Sequence, residues 1–232
     1  MKISRIPSGI PGLDEMVEGG FEKNSSVLVI GGGGSGKTIF GTQFLLEGIE
    51  KFNETGIYIS FEERKDKFYK HIMLFGWNLE ELENQGRFVF IKYSPQKMVE
   101  IVKEGGVKIE KIIKEINAKR IVIDSLSAYV ALFKEESEQR EMLVALFDML
   151  ANYDCTSVVI AEEDLDPDKR HSTIMGFMAD AILHLYNIRK GDTMVRALEV
   201  AKMRGTKHNY RIVPISIDEH GINVYPKDKI FQ

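Results

Sequence analysis

Short apolar runs alternate along the chain with longer stretches in which apolar residues recur at helical spacing. Runs of this short kind predict buried strands, and they are Ser26–Ile30, Ile57–Phe61, Arg87–Tyr93, Arg120–Asp124 and Ser157–Ala161. The i, i+3, i+4 spacing predicts helices, and they lie near Lys37–Lys51, Arg64–Phe75, Ile109–Ile116 and Glu138–Asn152. Because the strands are apolar on both faces and helices separate them, we expect a mainly parallel sheet covered by helices.

The pattern changes after Ala181, where strand candidates follow one another with only turns between them. They are Ala181–Tyr186, Val195–Met203, Tyr210–Ile217 and Ile222–Tyr225. The polar segment Asn187–Asp192 (NIRKGD) predicts a turn. This part of the chain therefore predicts an antiparallel extension at one edge of the sheet. Since no repeat or linker interrupts the sequence, we expect residues 1–232 to form a single α/β domain.

Composition narrows the class of protein. The chain has 232 residues, 44% of them apolar and 28% charged, which is typical of a globular domain. No apolar run approaches the roughly 18 residues that a membrane span needs, and the N-terminus has no apolar region of the kind that directs secretion. The single cysteine, Cys155, stands at the head of a strand, where we expect a buried and inert thiol. These features predict a cytoplasmic protein with no membrane contact.

The overall charge gives no support for binding duplex DNA across the whole surface. The formal net charge is −4, whereas proteins that neutralise many phosphates usually present a basic face. The charge still allows a local basic patch, which would be formed by Lys202, Arg204, Lys207 and Arg211.

The segment Gly31–Thr38 (GGGGSGKT) matches the phosphate-binding pattern GxxxxGK[ST] in full. Glycines let backbone N–H groups approach phosphate oxygens, and the following helix directs its positive end at the same anion. Lys37 supplies a charge to the β- and γ-phosphates, and the Thr38 hydroxyl is a ligand for Mg²⁺. We expect the nucleotide to contact Gly32, Gly33, Gly34, Ser35, Gly36, Lys37, Thr38 and Ile39.

Acidic residues follow two other predicted strands. Asp124 ends a buried strand, where a second ligand for Mg²⁺ is needed, and Ser125 could assist by hydrogen bonding. Glu62 and Glu63 come directly after another strand and could provide a base that activates water. Their position alone also allows a plain interpretation, in which they open a solvated helix.

Several separate segments resemble the KaiC family of RecA/DnaB-type P-loop ATPases, which includes archaeal single-domain proteins. They are RIPSGIPGLDEMVEGGF, the phosphate loop, YISFEE, FGWNLEEL, VIDSLSAY and FMADAILHLYNIRKGDTMVRALEVAKMRGTKH. The resemblance covers nearly the whole chain. It implies a RecA-like fold, ATP and Mg²⁺ as cofactors, and ATP hydrolysis.

The resemblance also implies roles for four charged residues. Glu62 would be the general base, with Glu63 supporting it. Lys202 and Arg204 would reach across a subunit interface to the γ-phosphate bound by the neighbouring copy, as an arginine finger does. Each site would then lie between two protomers, and we expect a homo-oligomeric ring, most simply a hexamer.

The chain departs from the clock protein of that family in two ways. It carries one such domain where the clock protein has two in tandem. The clock protein also autophosphorylates an adjacent Ser-Thr pair before an aspartate that matches Asp180. Gly176 and Phe177 stand at those positions, and Ser172 and Thr173 lie four residues upstream. We therefore expect neither clock-type autophosphorylation nor clock function.

Three functions stay open at this point. The first is a ring-forming regulatory ATPase that acts on an unknown protein partner, with slow turnover. The second is a single-stranded nucleic-acid protein related to RecA and RadA paralogues, with Lys169, Arg170 and His171 facing a central pore. Net acidity and the short sequence before the phosphate loop argue against it. The third is a scaffold that binds ATP and scarcely hydrolyses it.

Overall fold

A nine-stranded sheet forms the middle of the molecule, and helices pack on both of its faces. The computed structural model describes residues 3–169 and 174–230. The strands are β1 Arg5–Ile6, β2 Phe21–Glu22, β3 Ser26–Gly31, β4 Thr55–Ser60, β5 Phe88–Lys92, β6 Ala118–Asp124, β7 Thr156–Glu162, β8 Ala181–Lys190, β9 Thr193–Met203, β10 Val213–Asp218 and β11 Gly221–Val224. The α-helices are α1 Leu13–Met16, α2 Lys37–Phe52, α3 Lys65–Ile72, α4 Leu79–Asn84, α5 Pro95–Lys103, α6 Val107–Ile116, α7 Leu126–Val130 and α8 Glu136–Ala151.

Six strands of the sheet are parallel and three extend it antiparallel. The order is β11-β10-β9-β8-β3-β7-β6-β4-β5, and β1 and β2 pair separately. The neighbours from β8 to β5 are parallel, whereas β9, β10 and β11 join by antiparallel pairing. This architecture confirms the expected RecA-like α/β fold with an antiparallel extension on the C-terminal side.

Alternate residues of each parallel strand enter two different cores. In β3, Val27 and Val29 pack beside α2, while Leu28 and Ile30 pack beside the layer that contains α8. Both faces are therefore buried, which is why these strands read as continuous apolar runs. No helix in residues 3–169 or 174–230 is long and apolar enough to cross a bilayer. Cys155 is buried, as expected, and burial raises its thiol pKa to about 12.

Element boundaries differ from the sequence predictions in the C-terminal part. The predicted turn Asn187–Asp192 is wrong over most of its length, because β8 continues to Lys190 and the reversal is confined to two residues. The strand predicted from Tyr210 begins only at Val213. Polar residues in NIRKGD were compatible with a turn, but antiparallel pairing with β9 keeps them extended.

Helices α4 and α5 were not predicted.

One buried cation joins the sheet to its surroundings on the α2 face. The side chain of Arg120 is 1% exposed, and its Nε donates to Glu54 Oε2 at 2.6 Å. Its Nη1 donates to the carbonyl oxygens of Pro7 and Phe44, both at 2.9 Å. Glycine is required beside it, because a Cβ atom at Gly48 would overlap the Arg120 and Glu54 side chains. The ion pair therefore anchors β6, α2 and the N-terminal segment together.

Removal of this guanidinium should destabilise the whole domain. We expect Arg120→Ala to lower the free energy of unfolding by about 3–5 kcal/mol, because Glu54 loses its partner in a largely buried site. The matched control is Lys119→Ala, which breaks the exposed pair with Asp154 and should cost about 0.2–1 kcal/mol. Urea denaturation of both variants measures the difference, and equal losses would contradict this role for Arg120.

Candidate active site

Four adjacent strands bring the functional residues to one end of the sheet. The strands β3, β7, β6 and β4 are neighbours and parallel, so their carboxyl ends lie side by side. In the register, Gly31 is opposite Glu162, and Asp124 is opposite both Ile160 and Ser60. Open α/β sheets bind ligands at this end. The phosphate loop, Asp124 and the glutamate pair are thus brought together as the sequence predicted.

The loop after β3 turns tightly into α2, which begins at Lys37. Gly34 and Gly36 have φ angles of 72° and 100°, a region that favours glycine. A Cβ atom at Gly36 would come within 2.7 Å of Ile217 Cδ1, so this position also lacks space for a side chain. Lys37 Nζ donates to the carbonyl oxygen of Gly32 at 2.7 Å, curling over the loop.

The remaining residues of the predicted contact set continue from this loop into the helix. Ser35 is fully buried, and its Oγ has no hydrogen-bond partner among the described residues. Ile39 lies in the first turn of α2 and packs its side chain against the core. Their backbone groups are therefore the parts that face an anion at this helix N-terminus.

The two predicted ligands for Mg²⁺ touch each other. Thr38 Oγ1 donates to Asp124 Oδ2 at 2.9 Å, and the Tyr58 hydroxyl donates to the same oxygen at 2.6 Å. Tyr58 is fully buried in β4 and was not singled out from the sequence. Burial and the nearby Asp124 carboxylate raise the pKa of Tyr58 well above its ordinary value, so it remains a donor. Two hard oxygen ligands side by side are the donor set that Mg²⁺ prefers.

The charged groups of this site are held against their solvation preference. Burial lowers the pKa of the Lys37 ammonium, and the carboxylates of Glu162 and Asp124 oppose that shift. Burial likewise raises the pKa of Asp124, and the hydrogen bonds from Tyr58 and Thr38 oppose the rise. Both shifts favour the neutral forms. A ligand that brings opposite charges to these groups would relieve the cost.

The glutamate pair faces the site from the end of β4. Ser125 Oγ donates to Glu62 Oε1 at 3.0 Å and orients that carboxylate, whereas the sequence predicted that Ser125 would assist Asp124. Glu63 is held differently: its backbone N–H donates to Ser60 Oγ, and its side chain lies 2.8 Å from His71 Nδ1. The two carboxylates therefore have different partners, and the contact with His71 could not be read from the sequence.

A cleft of about 230 Å³ is enclosed by these elements. Its lining residues are Gly33, Gly34, Lys37, Thr38, Ser60, Glu62, Glu63, Asp124, Ser125 and Glu162. Glu162 was not predicted, although its place after an apolar strand is the signal that identified Asp124. No set of three His, Cys, Asp or Glu side chains in residues 3–169 and 174–230 is arranged to hold a metal alone.

Lys202 and Arg204 lie away from this cleft. Lys202 is opposite Ile182 and Met203 opposite Ala181, at the beginning of β8, while β8 meets the phosphate loop at Leu185. Lys202 Nζ donates to the carbonyl oxygens of residues 176 and 179 at 3.1 and 2.7 Å. The Arg204 guanidinium is 3.5 Å from an Asp180 oxygen, and its side chain is 58% exposed.

The remaining candidate residues lie outside the cleft or outside the described residues. Lys169 forms an ion pair with Asp166 at 3.0 Å, and the two basic neighbours predicted to face a pore, Arg170 and His171, lie outside the described residues. Ser172 and Thr173 lie outside them as well. Gly176 and Phe177 form part of a 3₁₀ turn, Ile174–Phe177.

A glycine loop between a central parallel strand and a helix, with an acid at the end of a nearby strand, defines a RecA-like P-loop nucleotide-binding protein. The family model described as the KaiC ATPase matches residues 6–229. The chain belongs to this KaiC family of ATPases.

Relatives of two lengths share the similarity. The circadian clock oscillator protein KaiC of Synechococcus elongatus is 33% identical over 97% of this chain and 44% of its own length. A UPF0273 protein of Thermotoga maritima is 31% identical over 97% of this chain and 98% of its own. A KaiC-like protein from Pyrococcus horikoshii, known from a crystal structure, is 33% identical to this chain and has a TM-score of 0.85. The match covers 97% of this chain and 100% of that protein. The chain thus spans about half the length of the cyanobacterial relatives.

The pKa shift of Asp124 predicts opposite effects on stability and on binding. Because its folded-state pKa is raised, its contribution to stability is present below the unfolded value of 3.8 and is lost as pH rises through the folded pKa. We therefore expect Asp124→Asn to raise the free energy of unfolding of the nucleotide-free protein at pH 7. The same variant should weaken Mg·ATP binding at least about tenfold, or 1.4 kcal/mol.

Asp154 provides a control of opposite sign. Its hydrogen bonds with Lys119 and Asn24 lower its pKa, so its stabilisation is present above the unfolded pKa and is lost as pH falls. Asp154→Asn should slightly destabilise the protein at pH 7 and leave Mg·ATP binding unchanged. Denaturation between pH 3 and 8, with calorimetric titration of nucleotide, measures both variants. A less stable Asp124→Asn protein at pH 7 would refute the electrostatic account.

Proposed function

We propose that this protein is a Mg²⁺-dependent ATPase that assembles into a ring, most simply a hexamer, and acts as a regulatory module in the cytoplasm. A partner protein would read the nucleotide state of the ring. The observation that carries the proposal is the charge of the cleft. Among the described residues that line it, Lys37 is the only cation, facing the carboxylates of Glu62, Glu63, Asp124 and Glu162.

A triphosphate needs more positive charge than this cleft supplies from its own chain. Mg²⁺, held by Thr38 and Asp124, would supply part of it by neutralising the phosphate oxygens during phosphoryl transfer. The loop N–H groups and Lys37 bind the phosphates. The charge that remains unmatched in the transition state is the part that an arginine finger from another subunit supplies.

Lys202 and Arg204 are suited to that task only in a neighbouring copy. Lys202 is paired with Ile182, three positions before Leu185, the partner of Gly31, so its backbone lies about 10 Å along the sheet from its own loop, and Arg204 lies farther. Arg204 is largely exposed and follows Met203, the partner of Ala181 at the beginning of β8, so it lies at the opposite end of the strands. A ring in which this end of the sheet meets the cleft of the next protomer would complete every site.

Glu62 is the proposed general base. Its Oε1 accepts a hydrogen bond from Ser125, which fixes the carboxylate at the mouth of the cleft, where it can take a proton from the attacking water. Glu63 Oε1 lies 2.8 Å from His71 Nδ1, and this contact would hold the backbone around Glu62 in place. We propose that turnover is slow. We also propose that the protein does not autophosphorylate as the clock protein does, since Gly176 and Phe177 lack a hydroxyl group.

A subunit-mixing experiment tests this function. Glu62→Gln and Arg204→Ala should each reduce phosphate release, the latter by about 10³-fold or more. When equal amounts of the two variants are dissociated and reassembled, roughly a quarter of the interfaces should combine an intact Glu62 with an intact Arg204 of the neighbour and recover activity. Lys227→Ala, which removes an exposed cation that does not line the cleft, serves as the control and should hydrolyse like wild type.

The outcomes separate the alternatives. Recovery on mixing supports a shared site, whereas two inactive variants that stay inactive when mixed would place Arg204 outside the chemistry of a neighbour. Wild-type protein that binds ATP with no measurable phosphate release would instead support the scaffold function. The nucleic-acid function has no specific observation in its favour in the part of the chain that the structure describes.

A further inference from the structure

The hairpin formed by β8 and β9 extends over the phosphate loop. β8 runs parallel to β3 until Leu185 meets Gly31. At that point β3 leaves the sheet as the glycine loop, while β8 continues to Lys190 and pairs with β9 as far as Thr193. The tip of the hairpin therefore lies beside the loop with no parallel strand between them.

Two side chains of this hairpin bond to backbone carbonyls of the loop. Asn187 Nδ2 donates to the carbonyl oxygen of Gly33 at 2.9 Å, and Arg196 Nε donates to that of Gly34 at 3.4 Å. Asn187 and Arg196 are direct cross-strand partners. They act as one pair of donors on two consecutive peptide groups.

Such bonds determine where the loop N–H groups point. In a trans peptide the C=O and N–H directions are opposite. A carbonyl of Gly33 that is held toward Asn187 therefore directs the N–H of Gly34 away from the hairpin, and Arg196 does the same for the N–H of Ser35. Donation to a carbonyl also polarises the peptide group and strengthens its N–H as a donor.

The loop needs an external constraint of this kind. Its glycines reach many conformations, and ordering them around an anion costs conformational entropy. A Cβ atom at Gly34 would meet no atom within 4 Å, so the space on that side of the residue is open. The hydrogen bonds from Asn187 and Arg196 go to loop carbonyl oxygens, so these two side chains do not occupy the loop N–H groups.

We propose that Asn187 and Arg196 are positioning residues that preorganise the phosphate loop for nucleotide binding. The inference rests on the proposed ATPase function and assigns the antiparallel hairpin a part in the affinity of its own site. It does not involve the subunit interface. Because the loop binds the phosphates of substrate and product alike, the pair should affect binding of ATP and ADP equally and leave the chemical step unchanged.

Calorimetric titration with Mg·ADP and steady-state kinetics test the inference. We expect Asn187→Ala and Arg196→Ala each to raise the dissociation constant of Mg·ADP and the KM for ATP about tenfold. The kcat should remain within about twofold of wild type. Arg196→Lys, which keeps a cationic donor, should recover part of the affinity. Arg189→Ala removes a cation of the same hairpin that bonds to the turn at Gly191 and should bind like wild type.

Urea denaturation distinguishes a positioning role from a structural one. Variants of Asn187 and Arg196 that lose stability and bind Mg·ADP like wild type would overturn the inference. A loss of affinity in Arg189→Ala equal to that in Arg196→Ala would also overturn it, because general charge would then explain the effect. If the wild-type protein fails to bind Mg·ADP, the proposed function is overturned as well. If the wild-type protein binds Mg·ADP and the variants bind it equally well, only the positioning role is overturned.

Discussion

The parallel register of four neighbouring strands is the constraint on which the rest of the site depends. Because β3, β7, β6 and β4 run in the same direction and end at the same level, the residues after each strand meet at one place. The contact between Thr38 and Asp124 depends on this arrangement. The two residues are 86 positions apart in the chain, yet Thr38 Oγ1 lies 2.9 Å from Asp124 Oδ2. A shift of one residue in β6 would turn Asp124 to the other face of the sheet.

This arrangement places ionised groups where water is scarce. Burial shifts the pKa values of Lys37 and Asp124 toward their neutral forms. The protein retains them because hydrogen bonds from Tyr58 and Thr38 stabilise the carboxylate, and because a magnesium triphosphate would match both charges. Sites that bind charged ligands commonly lower the stability of the free protein in this way. The buried pair of Arg120 and Glu54 differs, since it ties together three segments on the α2 side of the same sheet.

The sequence predicted the features that local patterns encode. Continuous apolar runs identified β3, β4, β6 and β7, and the glycine pattern and Asp124 located the phosphate site. Contacts between distant residues gave no such signal. Tyr58 looked like an ordinary strand residue, and the bond between Glu63 and His71 depends on where α3 packs.

The hairpin shows most clearly why local pattern was insufficient. Asn187 and the basic residues after it resemble a turn, because polar residues and glycine are enriched in turns. Pairing with β9 instead keeps the segment extended, which brings Asn187 to Gly33. Tertiary pairing overrode local propensity here. The trans roles proposed for Lys202 and Arg204 would likewise depend on contacts between copies, which local pattern in one chain does not encode.

A crystal structure of the protein with a non-hydrolysable ATP analogue and Mg²⁺ tests the central claim most directly. We predict the β-phosphate within the loop formed by residues 31–38, with Mg²⁺ about 2.1 Å from Thr38 Oγ1 and with Asp124 in its coordination shell or bound to its waters. A nucleotide bound elsewhere while this loop stays empty, or Mg²⁺ held by other residues, would contradict the account.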